Sequence, residues 1–226
     1  MNITENLRNL RQRISDIEKT YNRKPGSVTL LAVSKKQAAL QIREAYLASQ
    51  HCFGENYLQE AITKKTALQD LNIEWHFIGS VQANKTKEIA ENFSWLHSLD
   101  RIKVAQRLSV QRPPSLPPLN VCIGVNISEE ASKSGVSLSE LQTFISEVST
   151  IERLRVRGLM VIPEPTDDKE KQHAIYQQVV IIQNKLIQKG FELDTFSMGM
   201  THDFEAAIAA GSTIVRIGTA IFGKRT

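Results

Sequence analysis

Cysteine is scarce in this sequence, with two in 226 residues, Cys52 and Cys122. Both lie in apolar, strand-like stretches, where a buried reduced thiol is the ordinary state. We therefore expect neither a disulfide framework nor a catalytic cysteine pair. The two cysteines and five histidines show no CxxC or HxxxH spacing, so the sequence predicts no structural zinc site and no metal.

Long apolar runs are also missing, since none approaches the ~20 residues that a membrane-spanning helix needs. The N-terminal stretch MNITENLRNLRQRISDIEKT is charged and amphipathic and lacks the apolar segment of a secretory signal. The basic residues give a net charge of +4, but they are spread along the chain without a nucleic-acid-binding motif. These absences predict a cytoplasmic protein that binds neither membranes nor nucleic acid.

The composition is that of a globular protein, with 41% hydrophobic and 23% charged residues. Eight apolar or β-branched runs recur at fairly even intervals and are typical of short strands. They are VTLLAVS from Val28, HCFG from His51, EWHFIG from Glu74, SWLHSL from Ser94, NVCIGVNI from Asn120, RVRGLMVI from Arg155, LDTFSMG from Leu193 and STIVRIG from Ser212. Segments with helical spacing separate them, and Ser137 and Asp168 stand where two of these helices would be capped.

Alternating strands and helices indicate parallel pairing with crossover helices, in an open doubly wound sheet or a closed barrel. The count of eight favours a (β/α)8 barrel of the TIM type, and no GxGxxG follows the first strand. We expect one α/β domain over residues 1–226, with a stiff proline-rich connection at 111–118. An additional N-terminal helix would cover the outside through Ile3, Leu7, Leu10, Ile14 and Ile17.

In such barrels the functional site lies at the carboxyl ends of the strands. Lys35 and Lys36 directly follow the first run, which places a lysine at the barrel mouth. Partial desolvation there favours the free amine that Schiff-base chemistry requires, although a solvated lysine at the start of a loop is the alternative. Lys35 shares a strand face with Leu31 and Val33, and Lys36 shares one with Ala32; the sequence leaves open which face is inward.

Glycines and hydroxyls follow the seventh and eighth runs, at 197–201 and 216–219. Such strand ends offer N–H groups, hydroxyls and a helix N-terminus to an anion, and phosphate sites recur at these two positions in barrels. Glycines used only for tight turns are the alternative. Arg216 has the strand parity of Gly218 and would point into the same space. An amine, a phosphate cradle and an arginine match the aldehyde, phosphate and ring nitrogen of pyridoxal 5′-phosphate.

Seven stretches together carry a resemblance to a known family: LLAVSK, FGENYLQE, WHFIGSVQANK, NISEEASKSG, RLRVRGLM, SMGMTHDFEAAIAAGST and VRIGTAIFG. Nearly end to end, the chain resembles the pyridoxal phosphate homeostasis protein family. The resemblance implies a barrel like the N-terminal domain of alanine racemase, with pyridoxal 5′-phosphate (PLP), the vitamin B6 cofactor, in its mouth. It also implies a role as a carrier and buffer of PLP, with PLP-dependent enzymes as possible clients.

The resemblance also implies roles for individual residues. It places the Schiff base on Lys35, with Lys36 as a neighbour, and directs Arg216 at the ring nitrogen. It assigns the phosphate to Ser197, Met198, Gly218 and Thr219, and it puts Asn56 and His76 in the lining of the cofactor pocket. The sequence departs from the family pattern at Lys36 and Thr201, where Thr and Ser are frequent, and at Val81, where Leu is usual.

Three functional hypotheses remain: a PLP carrier without robust turnover, a weak PLP-dependent racemase-like enzyme, and a cofactor-free Schiff-base aldolase. The related racemases have a second domain that adds an acid–base residue and builds a dimer. Here the sequence ends at Thr226 and its last tyrosine is Tyr176, so we expect no such domain, no catalytic residues and a monomer. Arg216 stays protonated, so it would leave the ring nitrogen unprotonated and make the ring a weaker electron sink. The carrier is therefore the favoured hypothesis.

Overall fold

The computed structural model describes residues 2–127 and 134–223. Eight parallel strands pair in chain order, and β8 returns to pair with β1, so the sheet closes into a barrel. Each of the eight predicted runs contains the core of one strand, and the predicted fold class is confirmed. The strands are β1 Thr29–Val33, β2 Cys52–Glu55, β3 Glu74–Phe77, β4 Trp95–Leu99, β5 Leu119–Gly124, β6 Leu154–Met160, β7 Thr195–Ser197 and β8 Ile214–Ile217.

Helices cover the barrel on the outside. In the described ranges they are α1 Ile3–Thr20, α2 Ala39–Leu47, α3 Leu58–Ala67, α4 Thr86–Asn92, α5 Ile102–Gln111, α6 Leu141–Ser149, α7 Lys169–Gln188, α8 Phe204–Ala210 and α9 Thr219–Phe222. None of these helices is long and apolar enough to cross a membrane. The proline-rich stretch joins α5 to β5, as expected.

The predicted N-terminal helix is α1, and it packs against α2, α8 and α9 on the outside of the barrel. All five of its predicted apolar residues are buried: Ile3, Leu7, Leu10, Ile14 and Ile17. Each buried aliphatic side chain of this size stabilises the fold by roughly 1.5–3 kcal/mol before the entropy of ordering it is counted. The apolar stripe of α1 therefore accounts for its position.

The two predicted caps differ in outcome. Asp168 caps α7 as expected, because its carboxylate accepts from the N–H groups of Glu170 and Lys171 at 3.0 and 3.1 Å. Ser137 does not cap α6, because a turn at 138–140 comes first and the helix begins at Leu141. The Ser137 hydroxyl donates instead to the Glu140 carboxylate at 2.5 Å.

Two apolar clusters distinguish the interior of the barrel from its outer layer. Leu31 and Val33 pack with Ile78 and Ile214 across the interior, whereas Ala32 belongs to the large cluster beneath the helices. The inward face of β1 is therefore the face that carries Leu31 and Val33. Lys35 lies in the turn that follows this strand, two residues after Val33.

The strands β6 and β7 approach closely at a glycine. A Cβ atom on Gly158 would lie 1.7 Å from the backbone oxygen of Thr195, with which Gly158 is in register. No side chain fits in that space, so only glycine allows these two strands to pair.

Candidate functional site

The lysine turn follows β1 at the mouth of the barrel. Ser34 is buried, Lys35 is half-buried and Lys36 is exposed. Lys36 has a φ of 61°, in the left-handed region, and its N–H donates to the Glu60 carboxylate. This contact holds the turn at Lys36. The two lysines therefore differ in environment, since Lys35 is half-buried and Lys36 is exposed.

A buried ion pair lies directly beneath this turn. The Lys64 ammonium donates to the Ser34 backbone oxygen at 2.6 Å, to Glu55 at 2.7 Å and to Glu60 at 2.5 Å. The Ser34 hydroxyl donates to the same Glu55 oxygen at 2.6 Å. Burial raises the pKa of Glu55, and the hydrogen bonds from Lys64 and Ser34 oppose that shift. The turn that presents Lys35 is therefore anchored by a charged network.

Sequence reasoning missed Glu55 and Lys64. The spacing of Glu60 and Lys64 on α3 indicates an ion pair, because residues four apart share a helix face. The contact between Glu55 and Lys64 joins a strand to the following helix, and no periodicity reveals it.

Arg216 lies on β8 inside the barrel and is 4% exposed. Its Nη1 donates to the Ser197 backbone oxygen at 2.5 Å and to Ser197 Oγ at 2.8 Å, and its Nη2 donates to the Val161 backbone oxygen at 2.9 Å. Burial lowers the pKa of Arg216, although a guanidinium remains protonated in proteins. These three bonds use part of its five N–H groups and fix its plane.

The side chains of Ser197 and Met198 are directed away from the loop that follows β7. The Ser197 hydroxyl lies in the interior, 2.7 Å from His97 Nδ1 and next to Arg216. The Met198 side chain is buried in the outer apolar cluster, and its N–H donates to the Ile214 backbone oxygen at 3.1 Å. Both remain predicted phosphate contacts, but these polar groups have partners within the protein.

Gly218 and Thr219 lie at the mouth, where β8 leads into α9. Thr219 is the exposed first residue of that helix, and Gly218 is its N-cap. A Cβ atom on Gly218 would stand 3.0 Å from the Val33 backbone oxygen, so this loop lies against the end of β1. The pairing of β8 with β1 thus brings the predicted phosphate residues beside the lysine turn.

Asn56 lines a cavity of about 580 Å³ at the same mouth. Its side-chain oxygen is buried without a hydrogen-bond partner among the described residues. The lining includes Met160 and Ile162, which flank the Val161 carbonyl that Arg216 binds, but it does not include Arg216 or Lys35. Of the predicted site residues only Asn56 lines this cavity, which lies over the ends of the middle strands.

His76 does not line this cavity. It is 1% exposed inside the barrel and stacks on Trp95, with ring centroids 5.4 Å apart. Its Nδ1 lies 2.9 Å from His97 Nε2, and its Nε2 lies 2.8 Å from the Glu74 carboxylate. Sequence reasoning missed His97, although the strict alternation in SWLHSL places Trp95 and His97 on one face of β4.

One group of possible metal ligands comes together in the part of the chain that the structure describes. Donor atoms of Cys52, Glu74 and His76 lie within 4.8 Å of one another at the amino-terminal end of the barrel. Glu74 accepts hydrogen bonds from both neighbours, at 2.8 Å from His76 and 3.7 Å from Cys52. Burial raises the pKa of the Cys52 thiol to about 11. Hydrogen bonding accounts for this arrangement.

The alanine racemase N-terminal domain family matches residues 5–226 of the chain. The chain is 52% identical over 223 residues to the pyridoxal phosphate homeostasis protein of Pseudomonas aeruginosa, covering 99% of this chain and 96% of that protein. It is 49% identical over 226 residues to the protein of the same name from Escherichia coli K12, covering 99% and 97% of the two chains.

Solved structures with the same fold include one with bound PLP and one of an alanine racemase. PipY of Synechococcus elongatus PCC7942, solved with PLP bound, has a TM-score of 0.86 and 34% identity, covering 98% of this chain and all (100%) of that one. Alanine racemase from Corynebacterium glutamicum has a TM-score of 0.68 and 18% identity, covering 99% of this chain and 60% of that chain. At that identity, the likeness to the racemase concerns the fold alone.

Proposed function

The chain belongs to the pyridoxal phosphate homeostasis protein family, and on that premise we propose that it binds, carries and buffers pyridoxal 5′-phosphate without appreciable turnover. The observation that carries the proposal is the meeting of three groups at the β8–β1 edge of the barrel mouth. These are the Lys35 turn, the Gly218–Thr219 loop packed against the end of β1, and the buried guanidinium of Arg216.

The residues present fit this cofactor. The cavity of about 580 Å³ at the mouth lies within the range of small-molecule sites, and the Asn56 oxygen, which has no partner in the described part of the chain, offers an acceptor there. Arg216 has N–H donors beyond its three protein contacts, and Thr219 offers a hydroxyl at a helix start. When bound, pyridoxal phosphate supplies an aldehyde that reacts with amines and a pyridine ring that withdraws electrons.

Each residue then has a distinct task. We assign the attachment point to Lys35, because it is the half-buried residue of the turn that follows β1 at the barrel mouth. Gly218 and Thr219 hold the phosphate by backbone and hydroxyl donors, and Ser197 and Met198 stay predicted contacts of the same phosphate. Asn56 lines the pocket, whereas His76 lies in the barrel interior, stacked on Trp95.

The arginine disfavours catalysis on amino acids. A guanidinium donates and does not accept, so Arg216 keeps its ring-nitrogen partner unprotonated and weakens it as an electron sink. Racemisation also needs a second acid–base group on the opposite face of the substrate. The last tyrosine, Tyr176, is buried and donates to Asp203 at 2.7 Å, and burial raises its pKa. Tyr176 is therefore not placed for that role.

Attachment to Lys35 is tested by borohydride reduction of the purified protein, which we expect to be yellow, followed by peptide mass mapping. We expect the pyridoxyl group on Lys35 in the wild type and in Lys36→Ala, and its loss in Lys35→Ala, which should still bind the cofactor noncovalently. Labelling of Lys36 would contradict the assignment. A colourless protein with no label would instead favour the cofactor-free aldolase.

The absence of turnover is tested with amino acids as substrates. We expect neither racemisation nor decarboxylation by the wild type. Turnover at roughly 1 s⁻¹ or faster that depends on Lys35 would make the protein an enzyme and overturn the proposal. We further propose that the chain acts as a single-domain monomer in the cytoplasm and passes the cofactor to PLP-dependent client enzymes.

A further inference from the structure

A chain of four hydrogen bonds crosses the barrel interior from one end to the other. It runs from Arg216 to Ser197 Oγ at 2.8 Å, from there to His97 Nδ1 at 2.7 Å, from His97 Nε2 to His76 Nδ1 at 2.9 Å, and from His76 Nε2 to Glu74 at 2.8 Å. Ser197, His97 and His76 are at most 1% exposed, whereas the Glu74 side chain is 48% exposed. The interior chain, as we call these five residues, begins at a buried cation and ends at a carboxylate that meets solvent.

Its proton arrangement follows from the Arg216 end. A guanidinium can only donate, so Ser197 Oγ accepts from Arg216. The single hydroxyl hydrogen of Ser197 is then free to point at His97 Nδ1, which accepts. A neutral His97 that accepts at Nδ1 carries its hydrogen on Nε2 and donates to His76.

The Glu74 end gives the same arrangement independently. An ionised carboxylate can only accept, so His76 carries a hydrogen on Nε2. A neutral His76 then accepts at Nδ1, which again requires a donor at His97 Nε2. Burial lowers the pKa of both imidazoles, that of His97 well below its ordinary value, while the hydrogen bond from His76 lowers the pKa of Glu74. Every group in the interior chain is therefore satisfied with both rings neutral.

We propose that Glu74, His76, His97 and Ser197 are positioning residues for Arg216. Through these hydrogen bonds the Glu74 carboxylate, at the amino-terminal end of the barrel, sets the orientation of the Arg216 guanidinium and its strength as a donor to the cofactor. This inference rests on the proposed function only in naming the cofactor as the recipient of Arg216. The four aligned dipoles all point their positive ends toward Glu74, and such bonds polarise one another in a low-dielectric interior. The Ser197 hydroxyl faces the barrel interior, where it connects His97 to Arg216 by hydrogen bonds.

The tautomers test the interior chain without any cofactor. In protein labelled with ¹⁵N-histidine, long-range ¹H–¹⁵N correlation spectra of the cofactor-free form should show His76 and His97 both neutral and protonated at Nε2. An Nδ1–H tautomer or an imidazolium at either residue would overturn the proposal. Because this measurement needs no PLP, its failure is distinct from a failure of the proposed function.

A double-mutant cycle tests the coupling to the cofactor. Glu74→Gln keeps an acceptor for His76 but removes the charge, and we expect PLP affinity to fall about threefold or more, with a shift in the visible absorption of the bound cofactor. In a Ser197→Ala background, where the link to Arg216 is cut, Glu74→Gln should change neither quantity. Glu91→Gln is the matched control, because it removes a partly exposed carboxylate on α4 that pairs only with Lys87 among the described residues.

Two results would overturn the coupling. One is an effect of Glu74→Gln that persists undiminished in the Ser197→Ala background, since the influence would then bypass the interior chain. The other is equal behaviour of Glu74→Gln and Glu91→Gln. If Glu74→Gln fails to fold, Glu74→Asp takes its place, and its His76 and His97 should keep the Nε2–H tautomers while PLP affinity stays within twofold of the wild type.

Discussion

Replacing Lys64 with methionine should destabilise the protein strongly, because it leaves a buried carboxylate without its cation. The Glu55 side chain is 0% exposed, the Lys64 side chain is 6% exposed, and their charged atoms are 2.7 Å apart. Removing one member of such a pair typically costs about 3–5 kcal/mol. For a chain of this size, 1 kcal/mol corresponds to roughly 2–4 °C, so we expect the melting temperature to fall by about 6–20 °C.

The loss should depend on pH in a defined direction. Burial already raises the pKa of Glu55 in the folded protein, and Lys64 opposes that shift. Without Lys64 the folded-state pKa rises further, so folding favours the protonated acid. The contribution of Glu55 to the stability of Lys64→Met is then fully present below the unfolded-state pKa and is lost as pH rises through the raised folded-state pKa. Urea unfolding at pH 5 and pH 8 should show a larger deficit relative to the wild type at pH 8.

Two further variants complete this test. Lys64→Met combined with Glu55→Gln should recover much of the stability, because the uncompensated charge is gone. Lys87→Met is the control, since its side chain is 69% exposed and its ion pair with Glu91 contributes little. A Lys64→Met protein within about 1 kcal/mol of the wild type, or a deficit that does not change with pH, would refute the reasoning.

Three other predictions concern the barrel and its mouth. Thr219→Val should weaken PLP binding about tenfold or more with an unchanged melting curve in cofactor-free protein, because a charge-assisted hydrogen bond contributes about 1.5–3 kcal/mol; unchanged affinity by fluorescence titration would argue against the phosphate assignment. Gly158→Ala should unfold at a markedly lower urea concentration than the wild type, because its Cβ would lie 1.7 Å from the Thr195 oxygen. Gly190→Ala is the comparison: nothing lies within 4 Å of its Cβ although its φ is +95°, so the loss of stability should be smaller. Sedimentation at micromolar concentration should show a monomer, and a stable dimer would contradict that proposal.

The sequence predicted the architecture well because strands and helices leave local signals. Each of the eight runs is bounded by turn residues, and the stripe from Ile3 to Ile17 on α1 has the periodicity of a buried helix face. Lys35 and Arg216 could be proposed as site residues because both stand near strand ends, where sites of this fold lie. Such features depend on residues close together in the chain.

The parts that were missed depend on contacts between distant residues. His97 meets Ser197 across 100 positions, and that contact exists only once the barrel closes. The same closure places the Ser197 hydroxyl, a predicted phosphate contact, between His97 and Arg216. The start of α6 was also misplaced, because Ser137 is a good capping residue but the turn at 138–140 precedes the helix.

The proposed cofactor site spans the seam where the first and last strands of the barrel meet. Lys35 follows β1, Arg216 and Thr219 come from β8 and its continuation, and the Asn6 side chain on α1 donates to the Ile221 backbone oxygen at 2.9 Å on the outside of the same seam. A ligand bound here recognises only the fully closed chain, so its binding energy adds to the free energy of unfolding. At a hundredfold excess over the dissociation constant that contribution is about 2.7 kcal/mol. If the cofactor binds at this seam, the loaded protein should therefore resist a protease longer than the empty protein.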